Sequence, residues 1–252
     1  FEAIEKAGLK IDDIKSFGVG TPGSIDPQTG IIPYSNNLGF VNLPLVDMLE
    51  ERTGKRFYIE NDANAAAYGE YIAGAGKGAE NFVAITLGTG VGGGVIIGGK
   101  MLLGSNFAGG ELGHTVLHMD GEPCTCGRRG CLEAYASATA LIRDTKRAML
   151  ANKDSKMWEI GSLDNVTGKT AFDYKDVDAS AKAVVDDYIE KLAVGLTNLA
   201  NEFRPEAILL GGGVCAEGDN LVKPLQALLD RDIFAGSMGP QVPIVTAQLG
   251  NK

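Results

Sequence analysis

The chain has 252 residues, of which 44% are hydrophobic, and its 32 acidic and 23 basic side chains give a formal net charge of −9. This length and hydrophobic content can support a buried core, while the acidic balance disfavours binding of this segment to a nucleic-acid backbone. No segment approaches the ~20 continuous apolar residues of a membrane span, and the N-terminus lacks the pattern of a signal peptide. We therefore expect a cytoplasmic globular protein.

Short apolar runs broken by glycine and proline alternate along the chain with helical patterns. β-branched and aromatic runs predict strands, and the Gly, Pro and Asp clusters between them predict turns. Residues 185–203 carry apolar side chains at spacings of three and four, which predicts a buried helical face ended by Pro205. In chain order, the sequence predicts the end of an amphipathic helix at 1–9, a strand at 16–20, turns at 21–23 and 26–30, a helix at 44–52, a strand at 57–60, a helix at 61–73, a strand at 82–87, a glycine turn at 88–94, its return strand at 95–97, a strand at 207–210 and a glycine turn at 211–213. This mixture indicates an α/β architecture.

The glycine run 74–78 is a candidate boundary between two lobes, although glycines that close a helix give the same pattern. On this basis we predict a small N-terminal lobe over 1–76 and a large lobe over 77–252. The small lobe includes Asp62, which lies at a predicted strand-to-helix junction. Both ends of the sequence interrupt a pattern, so we expect the chain to be part of a longer protein.

Three cysteines and one histidine lie within eighteen positions of one another. His114, Cys124, Cys126 and Cys131 form a Cys3His set of the kind that binds structural zinc tetrahedrally. The alternatives are a pair of disulfides or four unrelated residues, but a C-x-C pair is too close for an easy bridge. Cys215 is left over, beside three glycines, and we predict a buried small apolar residue there.

Acids and an amide stand next to predicted turns and metal ligands. Asn61 and Asp62 follow a strand, Glu111 lies three residues before one predicted ligand, and Glu133 lies two residues after another. A zinc ion would hold both glutamates rigidly, and such acceptors suit the adjacent hydroxyls of a sugar. The alternative is that these acids are solvated or cap helices.

The segment 87–94 reads Leu-Gly-Thr-Gly-Val-Gly-Gly-Gly. Because glycine has no Cβ, such a turn can bring several backbone N–H groups close to phosphate oxygens. The segment lacks the Gly-Lys-Ser/Thr of a Walker A loop. The alternative is a plain hairpin tip, which would need fewer glycines.

Five motifs in order resemble the ROK family of bacterial sugar kinases and repressors, and its glucokinases most. The resemblance extends over about residues 18–251. The motifs are Thr21-Pro22-Gly23, Glu60-Asn61-Asp62-Ala63-Asn64-Ala65, the run 87–94, Gly110-Glu111-Leu112-Gly113-His114 and the cysteine loop 124–131.

The resemblance implies a two-lobed actin-like ATPase fold, related to ribonuclease H, with the sugar between the lobes and ATP across the glycine turns. It implies that Asp62 is the catalytic base, that one ring nitrogen of His114 contacts the sugar and the other zinc, and that Mg²⁺ bridges the phosphate oxygens. A homodimer or homotetramer is also implied. The implied sugar contacts are Asn61, Glu111, His114, Glu133, Gly23 and Asn36; the phosphate contacts are Gly88, Thr89 and Gly90; and the adenosine-side contacts are Gly211, Gly212 and Gly213.

The implied activity is ATP-dependent phosphorylation of a hexose, with glucose favoured, at the 6-hydroxyl. The sequence departs from the family pattern because it lacks the N-terminal strand with an Asp-x-Gly-x-Thr turn and the C-terminal helix. We therefore expect this segment alone to bind zinc and sugar but to turn over poorly.

Two other functions stay open. A sugar-responsive transcriptional repressor of the same family would have its DNA-binding helices before Phe1, but such repressors tend to lose the Asn-Asp-Ala and glycine patterns that stand here at 61–63 and 88–94. A zinc-stabilised interaction module would explain the cysteines and leave Asp62 without a role. The motifs do not determine whether the substrate is glucose, another hexose or an N-acetylhexosamine.

Overall fold

The computed structural model describes residues 2–35 and 38–250. The chain divides into two compact units, the first comprising Phe1–Ala66 and Leu103–Gly110, and the second Ala67–Leu102 and Glu111–Lys252. The division falls inside the helix Asp62–Ala73, whereas the lobe boundary predicted from the glycine run lies after residue 76. The lobe assignment stays a prediction.

The described residues form both strands and helices, as an α/β fold requires. The strands are β1 Ser16–Thr21, β2 Ser24–Asp26, β3 Ile31–Ser35, β4 Phe40–Leu43, β5 Arg56–Asn61, β6 Phe82–Leu87, β7 Val91–Ile97, β8 Lys100–Met101, β9 Ala207–Gly211 and β10 Ile244–Thr246. The helices are α1 Glu2–Lys6, α2 Leu45–Thr53, α3 Asp62–Ala73, α4 Glu133–Ala136, α5 Ala138–Ala151, α6 Thr170–Tyr174, α7 Ala179–Phe203 and α8 Asp219–Asp232. Short 3-10 turns at 112–114 and 213–217 contain the predicted site residues His114 and Gly213.

The first unit contains two small sheets. Strands β1 and β5 are parallel, with Thr21 opposite Asn61, and β2, β3 and β4 form an antiparallel sheet. A buried core in the first unit is formed by Ile25, Ile32 and Ile59, which come from both sheets. Because β1 and β5 run in the same direction, the turn after β1 and the start of α3 lie at the same edge of their sheet.

The second unit is built on one mixed sheet in the order β10-β9-β6-β7-β8. Strand β6 lies at its centre, parallel to β9 and antiparallel to β7. Its side chains are almost wholly buried, as the continuous apolar run 82–87 predicts for a strand covered on both faces. Leu87 ends β6 and belongs to the main core, which also contains Leu192 and Leu196 of α7.

Helix α7 confirms the periodic pattern over 185–203 and begins earlier, at Ala179. Asp178 caps its first turn by accepting hydrogen bonds from the backbone N–H groups of Ser180 and Ala181 at 2.7 and 3.0 Å. The helix ends at Phe203, and Arg204 takes a left-handed conformation before Pro205. The predicted strand and helices around 44–73 are also confirmed, to within one residue at each end.

The predicted glycine turn 88–94 is wrong in extent, because β7 starts at Val91 and not at Val95. Gly92, Gly93 and Gly94 pair with Thr86, Ile85 and Ala84 of β6. Glycine is uncommon inside strands and here marks a close approach. A Cβ on Gly93 would lie 2.8 Å from the side chain of Leu112, so the small residue lets the 112–114 turn pack on the strand.

Among the helices within residues 2–35 and 38–250, none combines the length and apolar character that crossing a membrane would require.

Candidate functional site

Asp62 and Asn61 lie where β5 passes into α3. The carboxamide of Asn61 donates to the carbonyl of Gly23 at 3.1 Å, which joins the turn after β1 to the start of the helix. The Asn61 Oδ1 atom accepts hydrogen bonds from the backbone N–H groups of Ala63 and Asn64 at 2.9 and 3.2 Å. Asn61 therefore caps α3 and is held from both sides.

Asp62 is the first residue of α3 and its side chain is exposed. Its Oδ1 atom accepts a hydrogen bond from the Ala63 N–H at 2.9 Å, which limits the rotation of the carboxylate. A carboxylate has about four lone-pair sites, so Asp62 keeps capacity to accept a hydrogen bond from a ligand hydroxyl. Its role as the base stays a prediction.

Gly23 adopts φ +123°, a backbone conformation that L side chains rarely take. A Cβ there would also lie 2.5 Å from the Tyr34 carbonyl oxygen and 2.8 Å from the Ser35 Cβ. This glycine is consequently required by the fold of the first unit, whatever else it contacts. Asn36, the other predicted sugar contact near this turn, lies outside the described residues.

His114, Cys124, Cys126 and Cys131 converge, with their ligand atoms all within 4.8 Å of one another. Zn–S bonds of about 2.3 Å and Zn–N bonds of about 2.0 Å at tetrahedral angles put two sulfurs about 3.8 Å apart, and sulfur and nitrogen about 3.5 Å apart. The Cys126 and Cys131 sulfurs lie 3.7 Å apart, and the Cys124 Sγ lies 3.6 Å from His114 Nδ1. The four residues thus fit a metal ion of zinc's size, and all are free of disulfides.

The loop that presents these ligands is closed by backbone hydrogen bonds and two glycines. The Cys124 N–H donates to the Arg128 carbonyl at 2.9 Å, and Pro123 pairs with Arg129. Gly127 and Gly130 have φ +85° and +77°, and a Cβ on Gly130 would collide with the His118 carbonyl. The chain can fold back on itself only because glycine tolerates this backbone.

The two ring nitrogens of His114 face different groups. Nδ1 points to the cysteine sulfurs, and Nε2 lies 3.9 Å from Glu111 Oε2. Glu111 is exposed, while His114 is half-buried. The arrangement leaves Nε2 and the Glu111 carboxylate side by side, which suits two adjacent hydroxyls of one ligand; the ligand contacts themselves stay predictions.

Glu133 connects the cysteine loop with the glycine hairpin. Its Oε1 atom accepts hydrogen bonds from Thr125 Oγ1 at 2.8 Å and from the Cys124 thiol at 3.5 Å. Its Oε2 atom accepts from the Val91 N–H at 3.1 Å, and a Cβ on Gly90 would collide with that oxygen. The sequence predicts a sugar contact at Glu133, and these protein contacts hold its carboxylate in place.

The turn between β6 and β7 is short and is supported from α5. The Gly88 N–H donates to the Gly90 carbonyl at 3.0 Å, while the Ala138 N–H donates to the Gly88 carbonyl at 2.8 Å. Thr139 Oγ1 donates to the Thr89 carbonyl at 2.7 Å. With its carbonyls taken up by the protein, the turn is held in a fixed shape.

The second glycine turn lies against the first, because β6 and β9 are parallel and Thr86 pairs with Gly211. Gly212 has φ +91°, and a Cβ there would collide with the backbone of Leu87. In contrast, a Cβ on Gly88 or Gly213 would meet no heavy atom of the described chain within 4 Å. Two glycines next to open space fit a cradle for a ligand that approaches the backbone closely.

Cys215 follows this turn and is half-buried, less than the sequence predicts. Its thiol donates to the Gly211 carbonyl at 3.0 Å. Burial raises the pKa of this thiol to about 12, so it stays protonated and unreactive near neutral pH.

Two hydroxyl residues of this network, Thr125 and Thr139, were not predicted from sequence. Thr125 lies between two predicted metal ligands, Cys124 and Cys126, and the sequence predicts a role only for these cysteines. Thr139 contacts the carbonyl of Thr89, fifty residues away. A Ser/Thr next to a ligand or helix start is common, so no local signal marks either residue.

The ROK family pattern matches residues 2–252 of the chain. The glucokinase of Halalkalibacterium halodurans is 44% identical over 217 residues, which is 85% of this chain and 66% of that protein. The xylose repressor of Caldicellulosiruptor bescii is 28% identical over 239 residues, which is 93% of this chain and 60% of that protein. The chain thus spans about two thirds of the length of the first of these relatives.

Among solved structures, a ROK family glucokinase from Streptomyces griseus in complex with glucose and AMPPNP is similar, with a TM-score of 0.89 and 35% identity. The match covers 100% of this chain and 82% of that one. The predicted α/β fold of the actin-like ATPases is confirmed.

Proposed function

The chain belongs to the ROK family, and we propose that it forms the core of an ATP-dependent hexose kinase that phosphorylates the 6-hydroxyl, with glucose the favoured sugar. The observation that carries this proposal is the likeness along the whole chain to a solved relative whose structure holds both glucose and AMPPNP. A cytoplasmic location and a homodimer or homotetramer stay predictions.

Asp62 would act on the acceptor hydroxyl. The transition state of phosphoryl transfer is loose, so the base has only to orient the attacking oxygen and accept its proton late in the reaction. An exposed carboxylate held at the first residue of a helix meets that demand. Asn61, which is fixed between Gly23 and the first turn of α3, would hold a neighbouring hydroxyl.

The sugar's remaining hydroxyls would be bound by Glu111, His114 and Glu133. The Nε2 atom of His114 and the carboxylate of Glu111 lie side by side, 3.9 Å apart. Zinc, held by the histidine Nδ1 and the three thiolates, would supply rigidity to this loop and would take no part in the transfer. The residues would therefore bind and orient the sugar without moving a proton.

The glycine turns would bind the nucleotide. Gly88, Thr89 and Gly90 would meet the phosphates, Thr89 and Gly90 through their backbone N–H groups and Gly88, whose N–H donates to the Gly90 carbonyl, through close approach of its Cα. Residues 211–213 would approach the adenosine side. Bound magnesium supplies positive charge to the phosphate oxygens, and we assign no residue of this chain to it. The threonine that supports the turn, Thr139, would keep the N–H groups in place as charge develops.

The test is ADP production by the full-length protein with magnesium-ATP and a panel of hexoses and N-acetylhexosamines. We expect one sugar to give turnover, and Asp62→Asn to lower kcat by about 10²- to 10⁴-fold, the range for loss of a general base. Asp219→Asn is the matched control, because Asp219 is likewise the first residue of a helix and is exposed, paired with Lys223 at 2.7 Å. It should keep wild-type kcat.

If a folded, metal-loaded protein phosphorylates no sugar, the repressor function becomes the leading one. The similarity to a xylose repressor gives that outcome a specific test. Binding of the full-length protein to operator DNA should then be measured with and without sugar.

A further inference from the structure

Glu70 is a buried acid in the second unit, with only 5% of its surface exposed. Its Oε1 atom accepts hydrogen bonds from the backbone N–H groups of Gln248 and Leu249 at 2.9 and 2.8 Å. Its Oε2 atom accepts from the Ala75 N–H at 3.0 Å. The Oε1 atom therefore ties α3 to the segment that follows β10, and the Oε2 atom binds the chain just after the end of α3.

The surroundings of Glu70 are shaped around this carboxylate. A Cβ on Gly74 would collide with Oε2, so residue 74 must be glycine for the acid to occupy its place. The Glu70 carbonyl also accepts hydrogen bonds from Gly74 and Gly76 at 3.0 Å each. Buried acids are costly unless they are fully hydrogen-bonded, and three charge-assisted bonds offset that cost here.

The segment whose backbone binds Glu70, residues 248–249, follows a residue that is hydrogen-bonded beside the predicted nucleotide turn 211–213. The Ala247 N–H donates to the Leu210 carbonyl at 2.9 Å, one residue before Gly211. Strand β10 pairs with β9 up to Thr246 and Leu210. Ala247 is therefore bonded to β9, and Glu70 attaches α3 to the two residues that follow it.

Glu70 is the ninth of the twelve residues of α3, and Asp62 is the first. The two residues are eight positions apart, which is about 12 Å along the helix axis at about 1.5 Å per residue. A helix of this length transmits displacement from one end to the other because its backbone bonds hold it rigid. The anchor at the ninth residue therefore acts on the position of the first.

We propose that Glu70 is a positioning residue for phosphoryl transfer, which holds the helix that begins with Asp62 by binding the backbone of residues 248 and 249. This inference rests on the proposed kinase function, in which Asp62 is the base. Glu70 itself would touch neither sugar nor nucleotide. Its loss should lower kcat and leave the KM for both substrates nearly unchanged, since the groups that bind them keep their places.

The test is Glu70→Gln in the full-length protein. Glutamine keeps the size of the side chain but has one acceptor oxygen, so it cannot serve Ala75 and the 248–249 segment together. The matched control is Asp178→Asn, because Asp178 is likewise a buried acid whose two oxygens accept different backbone hydrogen bonds, from Ser180 and Ala181 on Oδ1 and from Lys156 on Oδ2, but it does not belong to α3.

We expect Glu70→Gln to lower kcat about tenfold or more with KM values within about threefold of wild type, whereas Asp178→Asn keeps kcat; tenfold corresponds to about 1.4 kcal/mol. Hydrogen exchange should also rise in the first turn of α3, at Ala63 to Ala66, far from the substitution. Gly74→Ala should act in the same direction by displacing the carboxylate, and it replaces the first variant if that one fails to fold.

Unchanged exchange at residues 63–66 together with kcat within twofold of wild type overturns the proposal. If wild type is inactive on every sugar, the kinase function fails, and hydrogen exchange alone then decides whether Glu70 holds the start of α3. An equal loss of kcat in Asp178→Asn would show that the effect is one of general stability, and would also overturn the proposal.

Discussion

Two adjacent glycines, Gly212 and Gly213, give opposite expectations for substitution by alanine. Gly212 combines φ +91° with a position where a Cβ would collide with the backbone of Leu87, at the end of the central strand. At Gly213 a Cβ would meet no heavy atom of the described chain within 4 Å. Substitution of Gly212 should therefore lower the stability of the fold, whereas substitution of Gly213 should weaken only the binding of the proposed nucleotide.

The size of the first effect follows from two costs. A non-glycine residue held in a sparsely populated conformation costs about 1–3 kcal/mol, and overpacking against a fixed backbone costs about 1–3 kcal/mol. Gly212→Ala should thus lower stability by roughly 2–6 kcal/mol. At roughly 2–4 °C per kcal/mol for a chain of this size, the melting temperature should fall by at least about 4 °C.

Gly213→Ala should change stability by less than about 0.5 kcal/mol, as for an open surface site. If the turn meets the adenosine side of ATP, the added methyl should raise the KM for magnesium-ATP about tenfold. This corresponds to a loss of about 1.4 kcal/mol of binding free energy. The KM for the sugar should not change.

Thermal melts followed by circular dichroism and steady-state kinetics at saturating sugar measure both effects. A wild-type melting temperature for Gly212→Ala would refute the steric reasoning. A wild-type KM for magnesium-ATP in a normally stable Gly213→Ala would refute the assignment of this turn to the nucleotide.

Two further predictions concern the metal loop and the cap of α7. Thr125→Val removes the hydroxyl that donates to Glu133 Oε1 at 2.8 Å. The KM for sugar should rise about tenfold, because hydrogen bonds to charged groups contribute about 1.5–3 kcal/mol. Zinc content should stay unchanged and Thr125→Ser should restore the KM, whereas an unaltered KM for Thr125→Val would contradict the role of Thr125 in holding Glu133. Burial alone would raise the pKa of Asp178, but hydrogen bonds from Ser155 Oγ and from the N–H groups of Ala181, Lys156 and Ser180 hold that pKa below its ordinary value. A lowered folded pKa adds stability that is present above the unfolded value, near 3.8, and is lost as pH falls through the folded value. Asp178→Asn should therefore lower the free energy of unfolding by about 2 kcal/mol at pH 7. The difference in melting temperature between this variant and wild type should shrink below about pH 4. An equal difference at pH 3 and pH 7 would contradict this prediction.

Elements with a strong local pattern could be predicted from the sequence. Helix α7 has apolar residues at helical spacing over 185–203 and a proline after its end, and both signals agree with the structure, whereas its capped start at Ala179 was not predicted. The extent of β7 could not be predicted, because three glycines read as a turn until the side chain of Leu112 is seen packed on Gly93. A glycine that serves close packing and one that serves a turn look the same in one sequence.

The metal cluster could be predicted because its four ligands are close in sequence and the ligand types are specific to it. The contacts that hold Glu133 and Glu70 could not. Glu133 binds the Val91 N–H across 42 residues, and Glu70 binds the Gln248 N–H across 178. Both partners are backbone groups, which carry no residue-type signal, so only the fold reveals them.

The first unit is discontinuous, because Leu103–Gly110 belongs to it although Ala67–Leu102 belongs to the second. Synthesis proceeds from the N-terminus at about 5–20 residues per second. Strands β6, β7 and β8 therefore leave the ribosome before the last piece of the first unit does. No single proteolytic cut can therefore release that unit whole.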